Sequence, residues 1–566
     1  MANRTVVIAL AALLSAASFL PAQSDLESVR GQHGMVASSS EIATRVGVDI
    51  LRKGGNAVDA ATAVGLALAV THPTAGNIGG GGFMLIRMSD GRCAAIDYRE
   101  TAPAAATRDM YLNGKGEVVP GASTVGHRAV GVPGSVAGFA LAQEKFGSMK
   151  WADVVEPARR LASDGFTVSR ALAEDLREAK VLAQFAESRR IFLNNGKFLD
   201  EGDTWRQPEL AETLARLKER GPREFYEGRT AQLIVDEMKA GGGLMTLQDL
   251  QSYRPVIREP LRGTYRGYEI ISMPPPSSGG VALIEMLNML ERHDVAALSH
   301  DTSTKYHLLI EVMRRAFADR AEFMGDPDAV KIPVRGLISK EYAAHLAASI
   351  DLQRATPSGD VRHGDPVLYE SPQTTHYSIV DAAGNAVANT YTLNTAYGSG
   401  VTVRGAGFLL NNEMDDFTSK PGVPNAYGLI QSERNTISPG KRPLSSMAPT
   451  ILLKDGRLFL VVGTPGGPTI ISTVLQVIVN VIDHGMSIGR AVETPRIHHQ
   501  WLPDRVDWEP SGIVRDVREA LDKAGHKLAP KEKFLGDVQG IMVDLSTGTR
   551  WGASDPRGGT GAALGY

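Results

Sequence analysis

Cysteine is almost missing from this chain: Cys93 is the only one among 566 residues. A single thiol forbids an intramolecular disulfide and any metal site built on several thiolates. Taken alone, it reads as a small buried apolar residue. Long apolar runs are missing as well. No internal stretch reaches the ~18 uninterrupted apolar residues of a membrane span, and even the Ala-rich Val58–Val70 falls short. An excess of one charge sign is also absent. Lys+Arg is 60 against Asp+Glu 63, a net of −3, so nothing draws nucleic acid or an anionic membrane. The usual motifs are absent too. Without G-x-S-x-G there is no serine-hydrolase elbow. Without H-E-x-x-H, C-x-x-C or an EF-hand loop, no dedicated metal site is expected. The run Gly79–Gly82 does not fit G-x-G-x-x-G and follows no strand, and a Walker lysine is lacking. These absences remove most cofactor chemistry, so neither a metal nor an organic cofactor is expected.

What is present is ordinary globular composition, 43% hydrophobic and 22% charged, which excludes wholesale disorder. At about 150 residues per domain the length suggests three or four domains, or one large α/β unit with insertions. The N-terminus, with Arg4, an apolar run Val6–Leu14 and small residues after it, reads as a signal peptide over residues 1–22, cleaved after Ala17 or Ala22. A membrane anchor or an N-terminal helix is the alternative. An exported chain without a disulfide suits a periplasm, or secretion. Glycine is in excess, 60 of 566 against a usual ~7%, and the glycines cluster rather than repeat.

Ser39-Ser40-Glu41 predicts a capped helix to Arg52, and Val58–Val70 a buried one. A strand is expected over Phe83–Arg87, helices over most of residues 150–250, strand-turn-helix around residues 270–281, and an amphipathic helix over Thr304–Met324. Residues 351–373 read as a loop. Beyond it, residues 374–380 and 386–393 flank a turn at Asp381–Asn385 and predict a hairpin. Residues 450–453 and 457–462 around Asp455-Gly456 predict another, running into Gly466-Gly467 and a helix over Thr469–Ile482. Adjacent histidines His498 and His499 read as ordinary polar residues.

Thr374 and Thr375 open the first hairpin directly after the loop. A threonine hydroxyl is a poor nucleophile unless a base takes its proton. If the chain were cut before it, the threonine's own α-amine could serve. Thr-Thr in a strand is otherwise plain β-propensity. On the second strand, Thr390, Thr392 and Asn394 fall on one face by period two. Gly466-Gly467, between a strand and a helix, could present bare amides to an oxyanion or could be a tight turn.

Taken together, Thr374-Thr375-His376-Tyr377-Ser378, Asn394, Leu410-Asn411-Asn412-Glu413-Met414-Asp415-Asp416-Phe417, Arg442-Pro443-Leu444-Ser445-Ser446-Met447 and Thr464-Pro465-Gly466-Gly467 resemble the γ-glutamyltranspeptidase family of N-terminal-nucleophile hydrolases. The resemblance runs from Gly34 to Arg557. It implies a four-layer αββα sandwich of α/β class, built jointly by a large chain (residues 23–373) and a small catalytic chain (residues 374–566). It implies that Thr374 is the nucleophile for self-cleavage and for catalysis, that Thr392 orients it, and that Gly466 and Gly467 form the oxyanion hole. By the same resemblance Arg99, Ser445 and Ser446 bind the donor's α-carboxylate. Asn394, Glu413 and Asp416 bind its α-ammonium, and Tyr427 is the lid residue. The implied donors are glutathione and other γ-glutamyl compounds, and the acceptors are water, amino acids or peptides. A cephalosporin or glutaryl acylase on the same scaffold, and a two-lobed exported solute-binding protein, are the alternatives.

Overall fold

The computed structural model describes residues 28–366, 376–510 and 512–566. The expected signal peptide and the expected cleavage point before Thr374 lie outside them. Two seven-stranded antiparallel sheets lie face to face. The first has the order Ala562–Gly565, Met35–Ser38, Tyr377–Val380, Ala386–Thr392, Gly81–Arg87, Cys93–Asp97 and Val256–Arg258. The second has the order Val29–Gly31, Arg550–Ser554, Gln539–Val543, Arg457–Gly463, Thr450–Lys454, Tyr268–Ser272 and Leu261–Tyr265.

Period-two alternation assigns each strand face to a different core. Along Ala386–Thr392, Val387 and Tyr391 pack with the helices Glu41–Arg52, Ala57–Thr71 and Ser135–Phe146, while Ala386 and Ala388 face the second sheet. Phe83, Leu85, Ile271, Ile451, Val461 and Ile541 fill the space between the sheets. On the far side, Ile270, Leu452, Leu460 and Val462 pack under the helices Ser278–Leu290, Ser303–Phe323 and Thr469–Ile482. The layers are therefore helix, sheet, sheet, helix, the four-layer arrangement expected. They form one interlocked unit rather than three or four domains or two lobes. Among the described residues no helix is long and apolar enough to cross a membrane.

Local signals account for most boundaries. Ser40 caps its helix by accepting from the Ala43 N–H, and Asn56 with Asp59 forms a reciprocal capping box that starts the next helix at Ala57. That helix is buried on every side, as its unbroken apolar composition requires. The helix expected from Val281 begins earlier, at Ser278, because its first turn is close-packed: a Cβ on Gly279 would sit 2.2 Å from the Met447 carbonyl oxygen. The strand expected at Phe83 starts two residues sooner, at Gly81.

One expectation is corrected. The second hairpin strand ends at Thr392. Asn394 takes a left-handed φ of 80°, so it does not continue the period-two face of Thr390 and Thr392. The buried Thr390 hydroxyl lies 3.1 Å from His376 Nδ1.

Candidate active site

Arg99 follows the strand Cys93–Asp97 and is fully buried, at 0% exposure. Its backbone is pinned at both ends: its N–H donates to Asp97 Oδ1 at 3.0 Å, and its carbonyl accepts from the Tyr253 hydroxyl at 2.8 Å. The guanidinium sits 2.7 Å from Glu413 Oε2 and 2.5 Å from Asp416 Oδ2, both on the short helical turn Glu413–Asp416. It also donates to the carbonyls of Pro443 and Leu444 at 3.4 and 3.5 Å. That contact places it one step before Ser445 and Ser446, whose buried hydroxyls have no hydrogen-bond partner among the described residues. Asn435 ties the two segments together. Its Nδ2 donates to the Asp416 carbonyl at 2.7 Å, and its Oδ1 accepts from the Leu444 N–H at 3.0 Å.

Burial penalises every charge here. It pushes Asp416 up to about 6 and Glu100, 3.8 Å from Arg99, up to about 8, with the Arg99 charge opposing in both cases. Burial likewise lifts Glu413 well above the carboxylate range against the pull of Arg99. Burial pulls the Arg99 guanidinium down, but the Glu413, Asp416 and Glu100 carboxylates outweigh it. Three carboxyls surround one guanidinium, and burial favours the protonated form of each.

The other half of the site connects through Asn394. Its Nδ2 donates to the Asn412 carbonyl at 3.0 Å, next to Glu413, and its N–H donates to Thr392 Oγ1 at 2.9 Å. The Tyr427 hydroxyl donates to the Asn394 carbonyl at 2.7 Å. The Tyr427 ring lies against Gly467, where a Cβ would approach it to 2.8 Å. Gly466 and Gly467 have φ of 136° and 57°, a geometry open to glycine. Among the described residues neither N–H donates a hydrogen bond, while both carbonyls accept from the first turn of the following helix. The loop can therefore offer two amides, beside a helix N-terminus, to a developing oxyanion.

Ten of the expected site residues thus converge: Arg99, Thr392, Asn394, Glu413, Asp416, Tyr427, Ser445, Ser446, Gly466 and Gly467. Thr374 lies outside the described residues. His498 and His499 behave as ordinary polar groups, bonded to Ser472 and Asp504, and Cys93 stands at a strand end away from these contacts. Sequence reasoning missed Asn435 and Asp415. Asp415 accepts from Ser123 Oγ at 2.6 Å and from the Ala426 N–H, next to Tyr427, at 3.0 Å. Only Glu413 and Asp416 of that turn had a legible role. Among the described residues no cluster of three or more His, Cys, Asp or Glu is arranged to hold a metal ion.

Two stacked antiparallel sheets between helical layers, with a strand hairpin opening into a glycine loop and a buried charged cradle, define an N-terminal-nucleophile hydrolase fold. The sequence model described as Gamma-glutamyltranspeptidase matches residues 43–565, and the chain belongs to that family. It is 50% identical to the glutathione hydrolase proenzyme of Escherichia coli (strain K12), over 99% of this chain and 98% of the relative. Among solved structures, a cephalosporin acylase from Bacillus halodurans aligns with a TM-score of 0.85 at 29% identity, covering 97% of this chain and 98% of its own. The Helicobacter pylori gamma-glutamyltranspeptidase aligns with a TM-score of 0.57 at 45% identity, covering 58% of this chain and 94% of the solved one.

Proposed function

We propose that the chain is a γ-glutamyltransferase and glutathione hydrolase. It is made as a precursor that cuts itself before Thr374 into a large chain (residues 23–373) and a small chain (residues 374–566), which remain together as a heterodimer. The observation that carries the reading is the buried cradle in which Arg99 meets Glu413 and Asp416 beside two unpartnered serine hydroxyls. A γ-glutamyl donor carries both an α-carboxylate and an α-ammonium. The carboxylate suits Arg99, Ser445 and Ser446, since a planar fork matches a carboxylate. The ammonium suits Asn394, Glu413 and Asp416. Family membership and 50% identity to a glutathione hydrolase proenzyme support the same reading.

In this scheme the freed α-amine of Thr374 takes the hydroxyl proton as Oγ1 attacks the γ-amide carbonyl carbon. Thr392 orients the nucleophile, and the Gly466 and Gly467 amides hold the oxyanion. The C–N bond breaks, the leaving amine collects the proton, and a γ-glutamyl ester of Thr374 remains. Water or an acceptor amine then attacks the ester carbon, giving its proton to the α-amine, which returns it to Thr374 Oγ1 as the C–O bond breaks. Tyr427 covers the ester. Burial holds its phenol well above the usual range, with the nearby Asp416 and Glu413 charges adding to that effect, so it remains a donor to the Asn394 carbonyl. No metal or organic cofactor is called on. The mature enzyme is placed in the periplasm or outside the cell after removal of residues 1–22.

A denaturing gel tests the reading: two fragments are expected, the smaller beginning at Thr374, with release of aniline from a γ-glutamyl anilide. Thr374→Ala should leave the chain uncut and inactive. A single wild-type band with no such activity contradicts it. The acylase alternative shares the scaffold, but a glutaryl or cephalosporin side chain need not carry the α-ammonium for which Glu413 and Asp416 are suited.

A further inference from the structure

Arg320, near the end of the helix Ser303–Phe323, has no part in the scheme above, yet it is 1% exposed. Arg99, Arg314 and Arg496, buried to the same degree, are all ion-paired. Arg320 makes no ion pair among the described residues, and its Nη1 has no hydrogen-bond partner there. Burial pulls the group down to about 10, with the Asp416 charge opposing, so it stays a cation at neutral pH. A guanidinium buried without a counter-ion is costly, several kcal/mol in general, which makes its position informative.

Its Nε donates to Ser278 Oγ at 2.9 Å. That hydroxyl donates in turn to the Ser445 carbonyl at 3.0 Å, and the Ser278 N–H donates to the same carbonyl at 3.2 Å. Ser277 and Ser445 are bridged as parallel neighbours. Arg320 therefore braces, from behind, the turn that carries the two unpartnered serine hydroxyls, and it lies within electrostatic reach of Asp416.

We propose that Arg320 is a second arginine of the donor site. It is a positioning residue that fixes the Ser445–Ser446 turn and supplies a positive charge answered by the donor's α-carboxylate. The proposal rests on placing that carboxylate at Arg99, Ser445 and Ser446. In the free site, Arg99 is already shared between two carboxylates. A bound donor brings its own ammonium to Glu413 and Asp416, and with the Glu100 carboxyl pushed up to about 8 by burial, the cation at Arg320 leaves the serine end of the cradle positive. The consequence is specific: Arg320 discriminates for the α-carboxylate, not for the amine.

The test uses the processed enzyme and two competitive inhibitors of γ-glutamyl anilide turnover. L-Glutamate has the α-carboxylate, whereas 4-aminobutyrate is the same skeleton without it. In Arg320→Met the inhibition constant of glutamate should rise about tenfold, the scale of one lost charge-assisted interaction. That of 4-aminobutyrate should stay within about twofold, and the anilide effect should fall on KM rather than kcat. Arg320→Lys, which keeps the charge but not the fork, should fall between wild type and Arg320→Met. Equal weakening of both inhibitors, or none of either, overturns the proposal. If Arg320→Met stays uncut, Arg320→Lys is read by the same ratio; if both stay uncut, Arg320 is a folding residue and the proposal is overturned. Arg99→Ala is the control for the underlying site. If it leaves the glutamate to 4-aminobutyrate ratio unchanged, the placement of the donor carboxylate is what has failed.

Discussion

Two of the buried charge clusters among the described residues are built differently. In one, Arg496 bonds Asp555 at 2.7 Å and the Leu535 carbonyl at 2.7 Å, while Arg557 bonds Glu509 at 2.7 Å and Asp555 at 2.9 Å. Two guanidinium groups face the Asp555 and Glu509 carboxyls, with Asp537, pushed up to about 7 by burial, nearby. Burial alone would lift Asp555, but the Arg496 and Arg557 charges outweigh it and hold its carboxyl below the usual range. In the other, three carboxyls crowd Arg99, Asp416 is pushed up to about 6, and the hydroxyls of Ser445 and Ser446 have no partner among the described residues. Burial of charge is common to both, so it does not mark a site. Each cluster also leaves a guanidinium nitrogen without a hydrogen-bond partner among the described residues, at Arg496 Nε and at Arg99 Nη1. Three carboxyls around one guanidinium, with two free serine hydroxyls beside it, distinguish the cradle, and those are what a zwitterionic donor would complete.

Substitutions should separate the two clusters. The largest loss of stability is expected from Arg496→Ala, which breaks a buried pair and leaves Asp555 with Arg557 alone. About 3–5 kcal/mol is the usual cost of breaking such a pair, to be read by chemical denaturation. Arg99→Ala should cost much less stability, because Glu413 and Asp416 can take up protons. It should instead raise the γ-glutamyl donor's KM by about a hundredfold, the upper end of a lost bidentate carboxylate contact. An Arg99 variant as unstable as Arg496→Ala would erase the distinction.

Asp416 gives a pH signature. Its free-site pKa lies above the ordinary carboxylate range, at about 6, and the ammonium needs its ionised form. Donor kcat/KM should therefore rise with pH through about 6, and Asp416→Asn should remove that limb along with most of the affinity. Removing the raised acid also removes stability that is present at low pH and lost as pH rises through about 6. The smallest effects are expected from Ser445→Ala and Ser446→Ala. Their hydroxyls have no partner to lose among the described residues, so the free enzyme should be unchanged or slightly more stable. Donor KM should still rise about tenfold for each, measured with the γ-glutamyl anilide.

The sequence was most informative where chemistry is local. Capping by Ser40, the all-round apolar helix from Ala57 and the Asp455-Gly456 hairpin follow from neighbouring residues alone. The site residues were legible through joint motifs carried by family resemblance, not singly: Arg99 or Asp416 in isolation reads as surface charge. Contacts between distant segments were not legible. The left-handed turn at Asn394 depends on its bond to the Asn412 carbonyl, and Arg320 reaches Ser445 through Ser278, more than 100 residues distant in sequence from the serine. The glycine excess divides along the same line. Gly80 and Gly82 are small because the carbonyls of Thr392 and Thr390 would lie 2.0 and 2.4 Å from an added Cβ, a strand contact that cannot be read from a run of glycines. Gly466 and Gly467 instead need positive φ, in a loop whose two amides donate no hydrogen bond among the described residues.

On the proposed function, the buried cradle reads both charges of a γ-glutamyl group. The most direct measurement is the wild-type ratio of kcat/KM for γ-glutamyl anilide to that for glutaryl anilide, which differs only in lacking the α-ammonium. A preference of at least about a hundredfold is predicted, as expected when a buried carboxylate pair is left without its cation. Near parity between the two donors, or a preference for the glutaryl compound, would contradict the account and assign the chain to acylase chemistry.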